Sequence, residues 1–135
     1  MVNLQLSKIG PSEISIVQEL ADKIWKNHYP EVIGMEQVEF MLEKFYNENS
    51  MKFQMLEGQQ FYLIIDEGEP LGFIAITDKS GGEWFLNKFY IDTDFHRKGL
   101  GSRSFKLLLD VLGDSVKTIR LQVNRQNYKP INFYF

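Results

Sequence analysis

The chain has 135 residues, which suits a single domain with its own hydrophobic core. It has no cysteine, which excludes disulfide frameworks, thiolate zinc sites and thiol nucleophiles, and no apolar run near the roughly 18 residues of a membrane span. A net charge of −3 gives no case for nucleic acid, and the first residues lack the basic-then-apolar form of a signal peptide, so a cytoplasmic protein is the default expectation.

Charge is unevenly spread. Between Glu31 and Glu69 there are nine acids against two lysines, a stretch that either attracts a cation or forms solvated helix faces. Between His96 and Lys106 the bases Arg97, Lys98, Arg103 and Lys106 meet no acid.

In chain order, residues 2–9 alternate apolar and polar and end at Gly10-Pro11, which predicts a strand and a turn. Ile14, Val17, Leu20, Ala21, Ile24 and Trp25 recur at helical spacing, so residues 12–27 read as an amphipathic helix broken at residues 27–30. A second helix fits residues 35–47 with Val38, Met41, Leu42 and Phe45 on one face, and a short helical turn fits 50–57. Three strands follow, at 60–66, 71–77 and 83–91, joined by Gly-bearing turns into an antiparallel meander. After a polar loop, residues 99–112 carry the apolar stripe of a third long helix, 116–123 read as a strand, and 127–135 begin one more helix. The order β-α-α-β-β-β-α-β-α predicts an α/β (α+β) domain, a mixed, mostly antiparallel sheet flanked by helices.

The chemistry concentrates at residues 94–102, where a buried strand passes through a polar loop into a helix. The first turn of a helix has unpaired N–H groups and the positive end of the dipole, which together favour an anion. Gly99 and Gly101 leave the backbone open, Ser102 adds a hydroxyl, and Arg97, Lys98 and Arg103 add charge. The spacing is neither that of a P-loop nor a dinucleotide fingerprint.

The run His96-Arg97-Lys98-Gly99-Leu100-Gly101 resembles the Gln/Arg-x-x-Gly-x-Gly/Ala segment with which the Gcn5-related N-acetyltransferase superfamily grips the pyrophosphate of coenzyme A, although His96 stands where Gln or Arg is usual. A second block, residues 121–127 followed by Phe133-Tyr134, is similar to that family's fifth strand and next helix, with Pro130 where a small residue is usual. More weakly, residues 24–29 and 36–46 resemble a polyamine-acetyltransferase-like branch.

The resemblance implies acetyl-coenzyme A as co-substrate, no metal, and a small primary amine, such as a polyamine, as acceptor. It implies that the backbone of Phe89, Tyr90 and Ile91 and the loop from His96 to Arg103 hold the coenzyme, with Asn127 facing it. Tyr134 is implied as general acid on the departing thiolate. For the base, Glu83 at the start of its strand and His28 after the first helix are candidates; alternation puts Glu83 on one face with Phe85, Asn87 and Phe89. Trp25, His28 and Tyr29 are candidates for the acceptor pocket, though core packing explains Trp25 and Tyr29 equally well. In the family the helix bearing Tyr134 continues into a Gly-Phe turn and two strands; here the sequence stops at Phe135, so the sheet is expected to lack its C-terminal hairpin and a homo-oligomer to form through the exposed edge or C-terminal segment. A coenzyme A-binding module without turnover and a purely structural module remain alternatives.

Overall fold

The computed structural model describes residues 3–92 and 99–121, apart from the side chains of His28 and Val32. The expected polar loop and the expected last helix fall outside these residues.

Among the described residues five strands form one sheet in the order β1-β2-β3-β4-β5: β1 Leu4–Ile9, β2 Gln59–Asp66, β3 Glu69–Asp78, β4 Glu83–Ile91 and β5 Thr118–Leu121. The first four pair antiparallel and β5 pairs parallel to β4. The mixed sheet follows from the connections. Short turns can only reverse the chain, whereas the passage from β4 to β5 holds a whole helix, α5 Leu100–Leu112. The β2–β3 link is a two-residue turn with positive φ at Glu67 (53°) and Gly68 (81°), the conformation that matches strand twist.

Helices α1 Ile14–His28, α2 Pro30–Ile33, α3 Met35–Tyr46 and α4 Glu48–Leu56 precede β2. All six expected stripe residues of α1 are buried, together with Tyr29. They join Val38, Tyr46 and Met51 from α3 and α4 and cover one sheet face, through Phe61, Leu63, Phe73 and Ala75. The other face, with Tyr62, Ile64, Ile74, Ile76, Trp84 and Leu86, packs on Leu100 and Leu108 of α5. Strand β3 lies between two strands and under both layers, which is why residues 71–77 are buried without alternation.

Several expectations change in detail. Pro30 does not merely break a helix; it stands at the first position of α2, where its missing N–H costs nothing. On α3 the inward aromatic is Tyr46, four residues beyond Leu42, while Phe45 is 38% exposed. The short helical turn expected at residues 50–57 is the helix α4, which starts two residues earlier and is capped by Asn47, whose side chain accepts from Ser50 N–H at 2.8 Å. Strand β5 begins two residues later than expected, because Gly113–Ser115 forms a 3₁₀ turn that Val116 closes. Val116 and Ile119 lie half-buried against the α5-side core, and Leu121 is exposed. Among the described residues no helix is long and apolar enough to cross a membrane.

Candidate active site

Strand β4 is irregular where it matters. Leu86 faces Ile76 of β3, but Ala75 faces Lys88, so Asn87 is an extra residue and the strand bulges. A bulge reverses the alternation beyond it. Trp84 and Leu86 point to the α5 side, and after the bulge Phe89 and Ile91 do so. Glu83, Phe85 and Asn87 therefore keep the shared face expected from alternation, and Phe89 does not. Its ring lies parallel to Phe105 of α5 with centroids 6.3 Å apart. The bulge instead delivers Lys88 and Tyr90 to the face covered by α1–α4. Two adjacent polar residues inside an apolar strand, Asn87-Lys88, are the sequence signal for this, since strict alternation would bury one of them in the α5 core.

Tyr90 sits in an aromatic group, its ring centroid 5.9 Å from Trp25 and 5.6 Å from Phe73. Trp25 stacks on Tyr29 at 4.3 Å. Burial pushes the Tyr90 hydroxyl up to about 12, with a hydrogen bond to Tyr29 acting the other way, so it stays protonated at neutral pH. Trp25 and Tyr29 are themselves buried.

On the same sheet face a cleft of about 530 Å³ opens beside the bulge. It is lined by Phe45 of α3, Gln54 of α4, Gln59 of β2, and Phe85, Leu86, Asn87 and Lys88 of β4. Asn87 Oδ1 accepts from the Thr77 hydroxyl at 2.7 Å. Lys88 Nζ donates to Gln54 Oε1 and Gln59 Oε1, each at 2.8 Å, and stands 5.2 Å from the centre of the Phe61 ring. Burial lowers its pKa from 10.5 to about 8. Sequence reasoning missed Lys88.

Glu83, the carboxylate singled out as a base, pairs instead with Arg120 of β5 at 3.1 Å. Both side chains are substantially exposed, and Glu83 stands four residues from the bulge, about 13 Å along a strand. A second groove, of about 430 Å³, lies between α1 and α3 and includes Asp22, Glu39, Glu43 and Glu48. Lys26 pairs with Asp22 at 3.0 Å, and Lys52 with Glu48 at 2.7 Å.

Strand β4 leads to Asp92, whose N–H bonds Leu71 O at 2.8 Å and whose buried carboxylate meets Lys23 Nζ of α1 at 2.8 Å. The chain is thus fixed to the sheet and to α1 at the end of β4. Beyond the loop, Gly99 adopts φ 67°, ψ 29°, a left-handed conformation that favours glycine, and caps α5. The first helical bond runs from Arg103 N–H to Gly99 O at 3.0 Å, so helix geometry gives the N–H groups from Gly99 to Ser102 no partner within α5. Gly101 is buried, Ser102 half-buried and Arg103 exposed. His96, Arg97, Lys98, Asn127 and Tyr134 lie outside the described residues, as does the His28 side chain. Among the described residues no cluster of three His, Asp or Glu could hold a metal.

Residues 18–135 match the family model described as acetyltransferase (GNAT) family, and the chain belongs to that family and is an N-acetyltransferase. Among solved structures it is similar to a PaiA N-acetyltransferase of Thermoplasma acidophilum in complex with coenzyme A, with TM-score 0.79 and 20% identity over 98% of this chain and 86% of that one. It is also similar to an aminoglycoside N-acetyltransferase, AAC(6')-Iy, in complex with CoA, with TM-score 0.59 and 10% identity over 95% and 82%. A ribosomal-protein-alanine N-acetyltransferase of Brucella melitensis biovar Abortus 2308 matches with TM-score 0.60 and 12% identity over 91% and 82%. These likenesses are of fold; the acceptors named differ from one structure to the next. A search of curated proteins found no match.

Proposed function

We propose that this chain, as one domain, transfers the acetyl group of acetyl-coenzyme A to the primary amine of a small cationic acceptor, polyamines among them. The observation that carries the donor half is the start of α5 at Gly99, whose first N–H groups have no partner within the helix; in sequence the basic residues Arg97, Lys98 and Arg103 flank it. Around it, the reading assigns the coenzyme's phosphates to His96 through Arg103. Its acyl arm is assigned to the backbone of Phe89, Tyr90 and Ile91, and a further contact to Asn127. The thioester supplies an activated acyl carbon; a strand N–H near Ile91 stabilises the oxygen as it gains charge, and Tyr134 gives the thiolate a proton. Before a protonated amine can attack, its extra proton must pass to a base on the cleft side of the sheet.

The acceptor half rests on the carboxylates between Glu31 and Glu69, of which Glu39, Glu43 and Glu48 gather at the groove between α1 and α3. Such a field draws cations toward this helical layer and fades as salt rises. Trp25, His28 and Tyr29 are assigned to the acceptor side, where Tyr29 bonds to Tyr90. The same reading has a cytoplasmic protein and, with β5 as the last strand of the described sheet, a second copy pairing along that edge. Light scattering at micromolar concentration should give the mass of a dimer; a monomer refutes the pairing.

Calorimetric titration with coenzyme A, followed by an acceptor screen at two salt concentrations, tests the reading. Amines with two or more charges should be preferred, and the preference should shrink in high salt. A screen that yields only anionic acceptors contradicts the acceptor assignment.

A further inference from the structure

We infer that Lys88 is the base that takes the proton from the acceptor's ammonium. The inference rests on the amine-acetylating reading and deepens it. A neutral lysine amine has two N–H donors and one lone pair. Both donors have partners here, the side-chain oxygens of Gln54 and Gln59 at 2.8 Å each. Two fixed acceptors leave one position of the nitrogen for the lone pair, on a residue that lines the cleft and whose Nζ also stands 5.2 Å from the Phe61 ring centre. The bulge puts this nitrogen on the residue immediately before Phe89, where the strand is expected to hold the acyl arm. Around it, α3 presents Phe45, α4 Gln54, β2 Gln59 and Phe61, and β4 Phe85 and Asn87. None of these residues titrates or carries charge. Burial alone therefore tunes Lys88, and it brings its pKa to about 8, close to the pH at which a base must work.

In the step, one proton leaves the acceptor's ammonium for the Lys88 lone pair, giving a neutral amine and a lysine ammonium. The amine nitrogen attacks the thioester carbon; the C–N bond forms, the C–S bond breaks, and the electron pair leaves on the coenzyme's sulfur, which is protonated in turn. The thiolate's proton comes from Tyr134, which is restored by the proton that the new amide nitrogen sheds, and the proton held by Lys88 goes to solvent, which restores the base.

The test is the pH profile of acetyl transfer for the wild-type chain and for Lys88→Gln, Lys88→Met and Lys88→Arg, with coenzyme A affinity measured alongside. With an alkylamine, kcat/KM of the wild type should rise through about pH 8. The Gln and Met variants should lose roughly 100-fold or more in rate, and their rising limb should move to the acceptor's own pKa. Lys88→Arg keeps a cation for Gln54 and Gln59 but offers no base, so it should lose as much. A weakly basic acceptor, already neutral at the assay pH, should restore the variants to within about tenfold of wild type. Unchanged coenzyme A affinity in any one variant with this pattern supports the base role. An unshifted profile in Lys88→Gln, or near-normal turnover in Lys88→Arg, overturns it while leaving amine acetylation intact. A wild-type chain that binds coenzyme A and acetylates no amine overturns both.

Discussion

Lys88 is a residue whose surroundings set a cost on folding. Its pKa falls from 10.5 to about 8 because the folded chain buries its charge among neutral groups. Below pH 8 both states hold the proton and the folded state bears the whole cost. Between 8 and 10.5 the folded state releases the proton while the unfolded state keeps it, so unfolding takes up a proton and stability rises with pH. Above 10.5 the cost is gone. The gain across this window is on the order of 3 kcal/mol. Urea unfolding of the wild type and Lys88→Met at a series of pH values checks it: the difference between the two should narrow in the direction of wild type as pH rises, and parallel curves would contradict it. Gly72 is the second residue that matters for the site. It pairs with Ile91, and a Cβ there would run into the Tyr90 carbonyl oxygen and lie 2.9 Å from Ile91 Cα. Gly72→Ala must push away the strand segment assigned to the acyl arm. It should cost about 3 kcal/mol and lower acetyl transfer; a melting curve like that of wild type would show that β4 yields without cost.

At the scale of elements, what the sequence conceals is geometry rather than element type. The stripe of α1 and the run of β3 were legible because each obeys one period over its whole length. Strand β4 was legible as a strand, yet its faces were not, since the inserted Asn87 changes the period in mid-strand. The face of α3 shifted by one residue for a related reason: Phe45 and Tyr46 are both large aromatics, and the contacts of Tyr46 with Trp25 and Phe73 decide which goes inward. Asn47 shows a signal that could have been read. A capping residue between two helical patterns holds α3 and α4 together, since its Nδ2 also donates to Glu43 O at 2.6 Å. Asn47→Ala should cost about 1 kcal/mol by thermal melting, and no loss would mean the cap is replaced by water. At the start of α5, Gly99→Val forces a β-branched residue into a left-handed conformation. The anion site should be displaced, weakening coenzyme A binding by roughly tenfold or more in calorimetry; unchanged affinity would place the coenzyme elsewhere.

The described residues form two cores on the two faces of one sheet, and each serves one half of the proposed reaction. The α5 face carries the helix whose open end is assigned to the donor; the α1–α4 face carries the cleft and Lys88. Fold class and the start of α5 at Gly99 were accessible from sequence because they depend on local patterns, alternation, turns and a glycine-marked helix start. The acceptor side was not, because Gln54, Gln59 and Lys88 come from three separate elements and meet only through tertiary packing. The central claim is that one chain joins both halves in a single transfer to an amine. The most direct measurement incubates the chain with acetyl-coenzyme A and a panel of small amines, following free thiol by colorimetry and the acetylated amine by mass spectrometry. The account predicts that thiol appears in equal amount to an N-acetylated amine, and only when amine is present. Thiol release without acetylated amine, or coenzyme A bound with no release for any amine, would contradict it.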